Sequence, residues 1–346
     1  MIIAILSYEF QRHPRAKRIA KTLKKNGFKV RQWGARKVFL RGPRILRAIL
    51  NYLFAFFEIC FINADVYWVE NIPDIIYLGI PFLGRVYVYD RRSPWAKQLQ
   101  LEFRSGFLVR IARIVENIMI RFAKHIVVPS TPMKYEFDYK KPVTVIPNFP
   151  EESFKKKPTR NLRQELNIPA TRKIFIYVGK LSKIEGTDLL PEVANALKGL
   201  NAELWIVGDG PARHIVERIV KKHNHVRWFG WVQRDKLADY ITAADYGLVP
   251  RHKTPFSIFY NHEGIHKIGE YFIYGKPVIA CGIAPSPYYL VTEPDNYAET
   301  IARVAKGEIE PPKPPHNLTW EKYCEKAIID VISALFENSI QKVGKY

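Results

Sequence analysis

Short apolar runs alternate with amphipathic stretches along this chain, and the alternation runs through twice. Runs of this kind, too apolar to have a wet face, predict parallel strands covered by helices on both sides. In the first half they predict strands over Ile2–Leu6, Lys29–Trp33, Asp65–Val69, Arg85–Tyr89, Ile126–Val128 and Val143–Ile146. Helical periodicity falls between them, at Pro14–Asn26, Arg44–Ile59 and Phe107–Ala123. The pattern restarts with strands over Lys173–Val178, Glu203–Val207, Val226–Phe229, Tyr246–Val249 and Pro277–Ala280. Helices are expected at Asp188–Leu197, Pro211–His223, Asp235–Ala243, Ile265–Tyr274 and Asn296–Ala305, with a closing amphipathic helix over Thr319–Glu337. Between the halves, PNFPEESFKKKP (Pro147–Pro158) combines prolines with a charge run and reads as a boundary. The expected fold is α/β: two doubly wound, Rossmann-like domains facing a cleft, over residues 1–150 and 151–316, with a last helix over 317–346.

Length agrees, since 346 residues exceed what one core usually supports. Composition, with 47% hydrophobic and 25% charged residues, argues against disorder and fibre. The formal charge of +21 changes the picture, because such a field attracts phosphorylated ligands, anionic membranes or nucleic acid. No zinc spacing and no RNA-binding signature accompany it, so nucleic acid is not the expected partner. Cys60, Cys281 and Cys324 are scattered without metal or redox spacing and read as reduced thiols. MIIAILSYEF reads as a first strand rather than a leader, and the expected location is cytoplasmic. The acceptor triplet Asn317-Leu318-Thr319 is then a chance match.

Candidate chemistry concentrates in EGIHKIGEYFIYGKPVIACG, Glu263–Gly282. Glu270 stands on a short helix five positions before Gly275-Lys276-Pro277-Val278, where a carboxylate can accept two hydrogen bonds from a vicinal diol. Amides at the start of that helix, around His266 and Lys267, can face a phosphate. Gly179-Lys180 ends a predicted strand, where open α/β sheets bind ligands; Lys180 either reaches a diphosphate or is a solvated lysine after a strand-ending glycine. Gly208-Asp209-Gly210-Pro211 is either a phosphate-facing turn or a structural one, since the third glycine of a dinucleotide fingerprint is missing. Trp231 either lines a base pocket or fills a domain edge.

The order and spacing of YVGKLSKIEGTDLL, LWIVGDGP, VRWFGWVQRDKLADYITAADYGLVP and KIGEYFIYGKPVIACG resemble the donor-binding domain of glycosyltransferase family 4, which has the GT-B fold. The likeness is close from Val143 to Ala280; VIPNFP and TWEKYCEKAIIDVISAL resemble the family's crossing segment and last helix. It is looser in the first half, through HPRAKRIAKTLKKNGFKV and VYVYD. The resemblance implies a nucleotide-diphosphate sugar as donor, no metal or other cofactor, and transfer with retention. It implies Glu270 on the ribose, Lys180 beside Gly179 on the diphosphate, and the His266–Lys267 turn on the distal phosphate. Two positions depart from the pattern. His262, with Glu263 beside it, replaces a glutamate that meets the donor sugar, and Glu185 replaces a diphosphate cation before Gly186. Lys183 or Lys267 are the expected compensation.

Asp90, ending VYVYD, is the candidate base for an acceptor hydroxyl, with Arg91 and Arg92 on an acceptor phosphate; an Asp capping the next segment is the alternative. The candidate catalytic set is therefore Asp90, Lys180 and Glu263. The candidate donor-binding set is Gly179, Lys180, Gly208, Gly210, Trp231, His266, Lys267 and Glu270. ILRAILNYLFAFFEICFI (Ile45–Ile62) is too short and polar for a membrane span. It is either a buried helix or, with Arg31, Arg36, Lys37, Arg41, Arg44 and Arg47, a docking face for the inner membrane surface and a lipid-linked acceptor. The expected function is glycosyl transfer from a nucleotide sugar to a lipid-linked or glycan acceptor. The competing readings are a sugar-nucleotide epimerase, a phosphorylase, and a non-catalytic nucleotide-sugar or membrane binder.

Overall fold

The computed structural model describes residues 1–102, 106–136 and 138–343; among these, side-chain placement is not described for Arg12, Arg44, residues 100–102 and 337–343. The chain divides into two compact units, Met1–Pro147 with the chain from Tyr323 onward, and Asn148–Lys322.

The first unit is built on six parallel strands: β1 (Ile2–Leu6), β2 (Lys29–Trp33), β3 (Val66–Glu70), β4 (Tyr87–Asp90), β5 (His125–Val128) and β6 (Val143–Val145). Their spatial order is β2-β1-β3-β4-β5-β6. All five residues of β3 are buried, which explains why VYWVE carries no polar alternation. Chain order reverses direction between β1 and β3, and the register Ile3↔Val66 to Leu6↔Val69 brings Ser7 and Glu70 to the carboxyl edge there. The helix Pro14–Lys25 follows β1, and the helix from Glu325 packs back on it through a Lys25–Glu325 ion pair of 2.8 Å.

The second unit repeats the plan with β7 (Lys173–Val178), β8 (Ala202–Val207), β9 (Val226–Trp228), β10 (Tyr246–Val249), β11 (Val278–Cys281) and β12 (Leu290–Thr292). The order β12-β11-β10-β7-β8-β9 puts its reversal between β7 and β10. Alternate residues of β7 enter opposite cores: Ile174, Ile176 and Val178 pack with Trp205, Tyr271 and Ala280, whereas Phe175 and Tyr177 pack with Leu204, Ile206 and Ile301. Both faces of the sheet are therefore covered, and ligand access is left to its strand ends.

The expected elements form with small shifts. Asp65 lies outside β3, where its carboxylate accepts the Ile2 amide at 2.7 Å. The helix expected from Asp188 opens as a 3-10 turn at Thr187–Leu189 and becomes α-helical at Leu190, with Pro191 in its first turn. Strand β12 and the helix Trp95–Glu102 are additions. The first is three half-buried residues after a proline-rich loop, too short to show a period.

Candidate functional site at the strand ends of the second sheet

The loops that leave β7, β8 and β9 pack side by side on glycine. Gly208 N–H donates to Gly230 O at 2.7 Å, and Gly179 N–H donates to Val207 O at 3.0 Å. A Cβ on Gly208 would stand 1.8 Å from Gly179 O, so no other residue fits. Gly210 continues the turn, its amide held by its neighbour's carboxylate (Asp209 Oδ1) at 2.7 Å, and Leu181 N–H donates to Asp209 O at 3.0 Å. The close approach of these loops leaves Lys180 and Trp231 pointing away from the core. Lys180 is exposed and Trp231 is 70% exposed. An indole that open at a strand end is available to stack on a planar ligand.

Lys267 comes to the same place from the short helix His266–Phe272, whose cap, Ile265, has no side-chain acceptor. Its ammonium sits 4.6 Å above the Tyr177 ring and 2.8 Å from Glu185 Oε2. It lies so close to Gly179 that a Cβ there would be 2.9 Å from Lys267 Nζ. The second oxygen, Glu185 Oε1, accepts from Arg251 Nη2 at 2.8 Å. Burial works to raise the Glu185 carboxyl, and Lys267 and Arg251 overcome it, bringing the group to about 2. The structure thus gathers Gly179, Lys180, Gly208, Gly210 and Lys267 at the β7/β10 reversal. Arg251, the residue after Pro250 at the end of β10, joins them without having been expected. Of the two lysines expected to compensate at this position, Lys183 is exposed and makes no ion pair among those described, whereas Lys267 pairs with Glu185 together with Arg251.

Glu270 is buried, and its Oε1 accepts from Arg234 Nη2 at 2.7 Å; that guanidinium also covers the Phe154 ring at 4.7 Å. Arg234 stands three residues after Trp231, so the acid and the exposed indole share one loop neighbourhood. The Glu263 carboxylate accepts from Asn261 Nδ2 at 3.0 Å, while its carbonyl accepts the Asn148 amide at 2.6 Å. His262 stacks on Phe149 with ring centroids 6.3 Å apart, and burial holds its imidazole below the usual range.

The first unit corrects two expectations. Asp90 is wholly buried; Arg15 Nε reaches its Oδ2 at 2.9 Å, Arg15 Nη2 its Oδ1 at 3.0 Å, and Trp68 Nε1 its Oδ2 at 3.1 Å. A carboxylate held by three donors inside a core has no face left for an acceptor hydroxyl, so Asp90 is structural. Arg91, 1% exposed, is likewise spent on Glu116 at 2.7 Å and on Glu136, not on an acceptor phosphate. Arg92 is half-buried, donates from Nε to Asn71 O at 3.1 Å, and meets the His13 ring.

Sequence reasoning missed the group that surrounds Arg92. Glu70, at the end of β3, accepts from Ser7 and pairs with His13 Nδ1 at 3.2 Å. Burial opposes its charge, but His13 and Arg92 hold its carboxyl below the usual range. The available signal was an acid closing the apolar run VYWV. Beside it, a cavity of about 630 Å³ is lined by Tyr8, Trp33, Arg36, Lys37 and Glu58, among others. Among the described residues, no group of three or more His, Cys, Asp or Glu side chains is placed to hold a metal ion. None of the described helices is long and apolar enough to cross a membrane.

Residues 172–306 match the family described as Glycosyl transferases group 1. A lipopolysaccharide 1,2-N-acetylglucosaminetransferase of Salmonella typhimurium is 37% identical over 90 residues, which is 24% of this chain and 24% of that protein. A sucrose-phosphate synthase from Thermosynechococcus elongatus superposes with a TM-score of 0.67 at 17% identity, over 99% of this chain and 97% of its own. The Anabaena protein HepE, solved with UDP and glucose, gives 0.61 at 15% identity over 98% and 100%. A trehalose-6-phosphate protein from E. coli bound with UDP-2-fluoro glucose gives 0.64 at 11% identity over 100% and 99%. The chain has the GT-B fold, and the segment that matches the family model lies within its second unit.

Proposed function

We propose that this protein transfers a sugar from a nucleotide-diphosphate sugar to an acceptor. The observation that carries the proposal is the convergence of Lys180, Lys267, Gly179 and Gly208 at the β7/β10 reversal, inside the family-matched segment. Open α/β sheets bind ligands at such reversals. Glycine there lets a diphosphate approach the backbone, and the lysines supply charge as the sugar bond breaks. Stabilising the departing diphosphate is the leading catalytic contribution in this reading, the kind of term that is generally largest in enzymes. Glu270, oriented by Arg234, reads the ribose diol; Trp231 covers the base; the His266 amide turns to the distal phosphate. Glu263 is positioned beside the sugar, and no metal or other cofactor takes part. The two structures solved with UDP make uridine donors the first to test.

Transfer proceeds with retention in this reading, and the acceptor is a lipid-linked or glycan hydroxyl brought to the first unit. The helix Arg44–Cys60 supports it, with Ile45, Leu46, Ile49, Leu53 and Phe57 each at least half exposed. Arg36 and Lys37 line the adjacent cavity, and Arg47 and Lys37 line a second of about 380 Å³. Cations flanking an exposed apolar helix face suit the anionic inner surface of a membrane. Flotation with anionic liposomes at low salt, lost at high salt, is the expected behaviour; absence from the floated fraction at low salt would remove the membrane part.

The donor part is tested by calorimetric titration of UDP-, GDP- and ADP-sugars. One class binds, and Glu270→Ala weakens it by about tenfold or more, the scale for losing charged hydrogen bonds. Equal affinity in the variant would overturn the assignment of the acid.

A further inference from the structure

Glu185 bridges two cations. Each of its oxygens holds one cation, Lys267 on Oε2 at 2.8 Å and Arg251 on Oε1 at 2.8 Å. Its position is built by the backbone. Gly186 turns the loop with φ +70°, and a Cβ on it would stand 2.5 Å from Pro250 O. The loop after β7 is therefore pressed against the end of β10, which seats Glu185 next to Arg251. Arg251 is itself fixed from the other side: a Cβ on Gly282 would lie 2.1 Å from its carbonyl oxygen. The guanidinium stacks 5.2 Å from the Tyr260 ring, and its Nε is buried without a hydrogen-bond partner. A buried donor left over beside a carboxylate is a place where a second anion can bond.

We propose that Glu185 is a built-in stand-in for the donor diphosphate, yielding Lys267 and Arg251 when the donor arrives, and that Arg251 is the second diphosphate-binding cation. The inference rests on the donor site proposed above and adds a residue and a competition to it. Three cations, Lys180, Arg251 and Lys267, share the site with one acid, leaving a formal surplus of two positive charges against a diphosphate diester of about equal and opposite charge. Holding the cations together with an internal anion keeps them placed when the site is empty. It also weakens the grip on the released nucleoside diphosphate, which is more negative than the donor.

The probes are inorganic pyrophosphate and UDP, titrated by calorimetry into the full chain and its variants. Glu185→Gln keeps the shape and removes the competing charge, so pyrophosphate should bind about tenfold more tightly. Arg251→Gln should bind it about tenfold more weakly. If Glu185 merely props the loop, Glu185→Gln weakens or leaves unchanged the binding of pyrophosphate, and the proposal is overturned. Should that variant not fold, Arg251→Gln decides alone, and affinity equal to the unaltered chain rejects it. Glu270→Ala separates this proposal from its parent: it should lose UDP while keeping pyrophosphate. UDP binding unchanged in Glu270→Ala would overturn the ribose reading, yet the two pyrophosphate shifts would still stand or fall independently.

Discussion

The carboxyl ends of the two sheets both carry charged residues, one strand beyond the reversal of strand order in the first sheet and at the reversal in the second, and use them in opposite ways. In the first sheet, Asp90 ends β4 at 0% exposure and is closed off by Arg15, itself 2% exposed. In the second, Lys267, Arg251 and Glu185 are 11%, 17% and 23% exposed, with Lys180 open beside them. The distinction is between charges that balance each other completely and charges that leave a surplus. A complete buried pair stabilises only as a pair, because deleting one partner strands the other without solvent. An unbalanced, partly wet set retains charge to offer a ligand.

Breaking the pair on the first sheet should therefore have the larger effect on folding. Arg15→Met leaves Asp90 buried and uncompensated and should cost about 3–5 kcal/mol in urea unfolding of the first unit. A loss below about 1 kcal/mol, the range of a surface pair, would mean the two ends do not differ as described.

The second end should answer to pH instead, and more weakly. The folded Glu185 carboxyl, at about 2, lies below the ordinary carboxylate range. Its charge therefore stabilises the fold fully above that range, and the contribution is lost as pH falls through the range towards about 2. The thermal midpoint of the unaltered chain should exceed that of Glu185→Gln near neutrality, and the gap should shrink steadily on acidification below about pH 4.5. A gap constant from pH 6 down to pH 2.5 would show that the ion pairs with Lys267 and Arg251 do not set the difference. Partial exposure of all three groups keeps the effect modest.

Much of the architecture was legible because buried parallel strands leave no polar alternation: VYWVE, KIFIYV and AELWIV announce themselves. Strand β12 stayed hidden because three half-buried residues carry no period. At the sites, legibility depended on whether a residue's partner was local. Gly179 and Lys180 are adjacent and end a strand, so their shared location could be read directly. Asp90 looked functional because its position at a strand end is visible, while Arg15, 75 residues away, is not. Arg251 was overlooked for the same reason: its meaning depends on Glu185, 66 residues earlier, which the loop turn at Gly186 brings beside it. Glu185 alone read as a lost cation; the fold sets another cation, Arg251, against it from the next strand end.

The account stands on cations at the β7/β10 reversal holding a sugar-bearing diphosphate. Its most direct test is titration of the preferred nucleotide sugar into the unaltered chain and into the Lys180→Ala, Lys267→Ala double variant. Loss of two charge-assisted contacts predicts affinity reduced by about a hundredfold. Affinity in the double variant within about twofold of the unaltered chain, at matched salt, would contradict it.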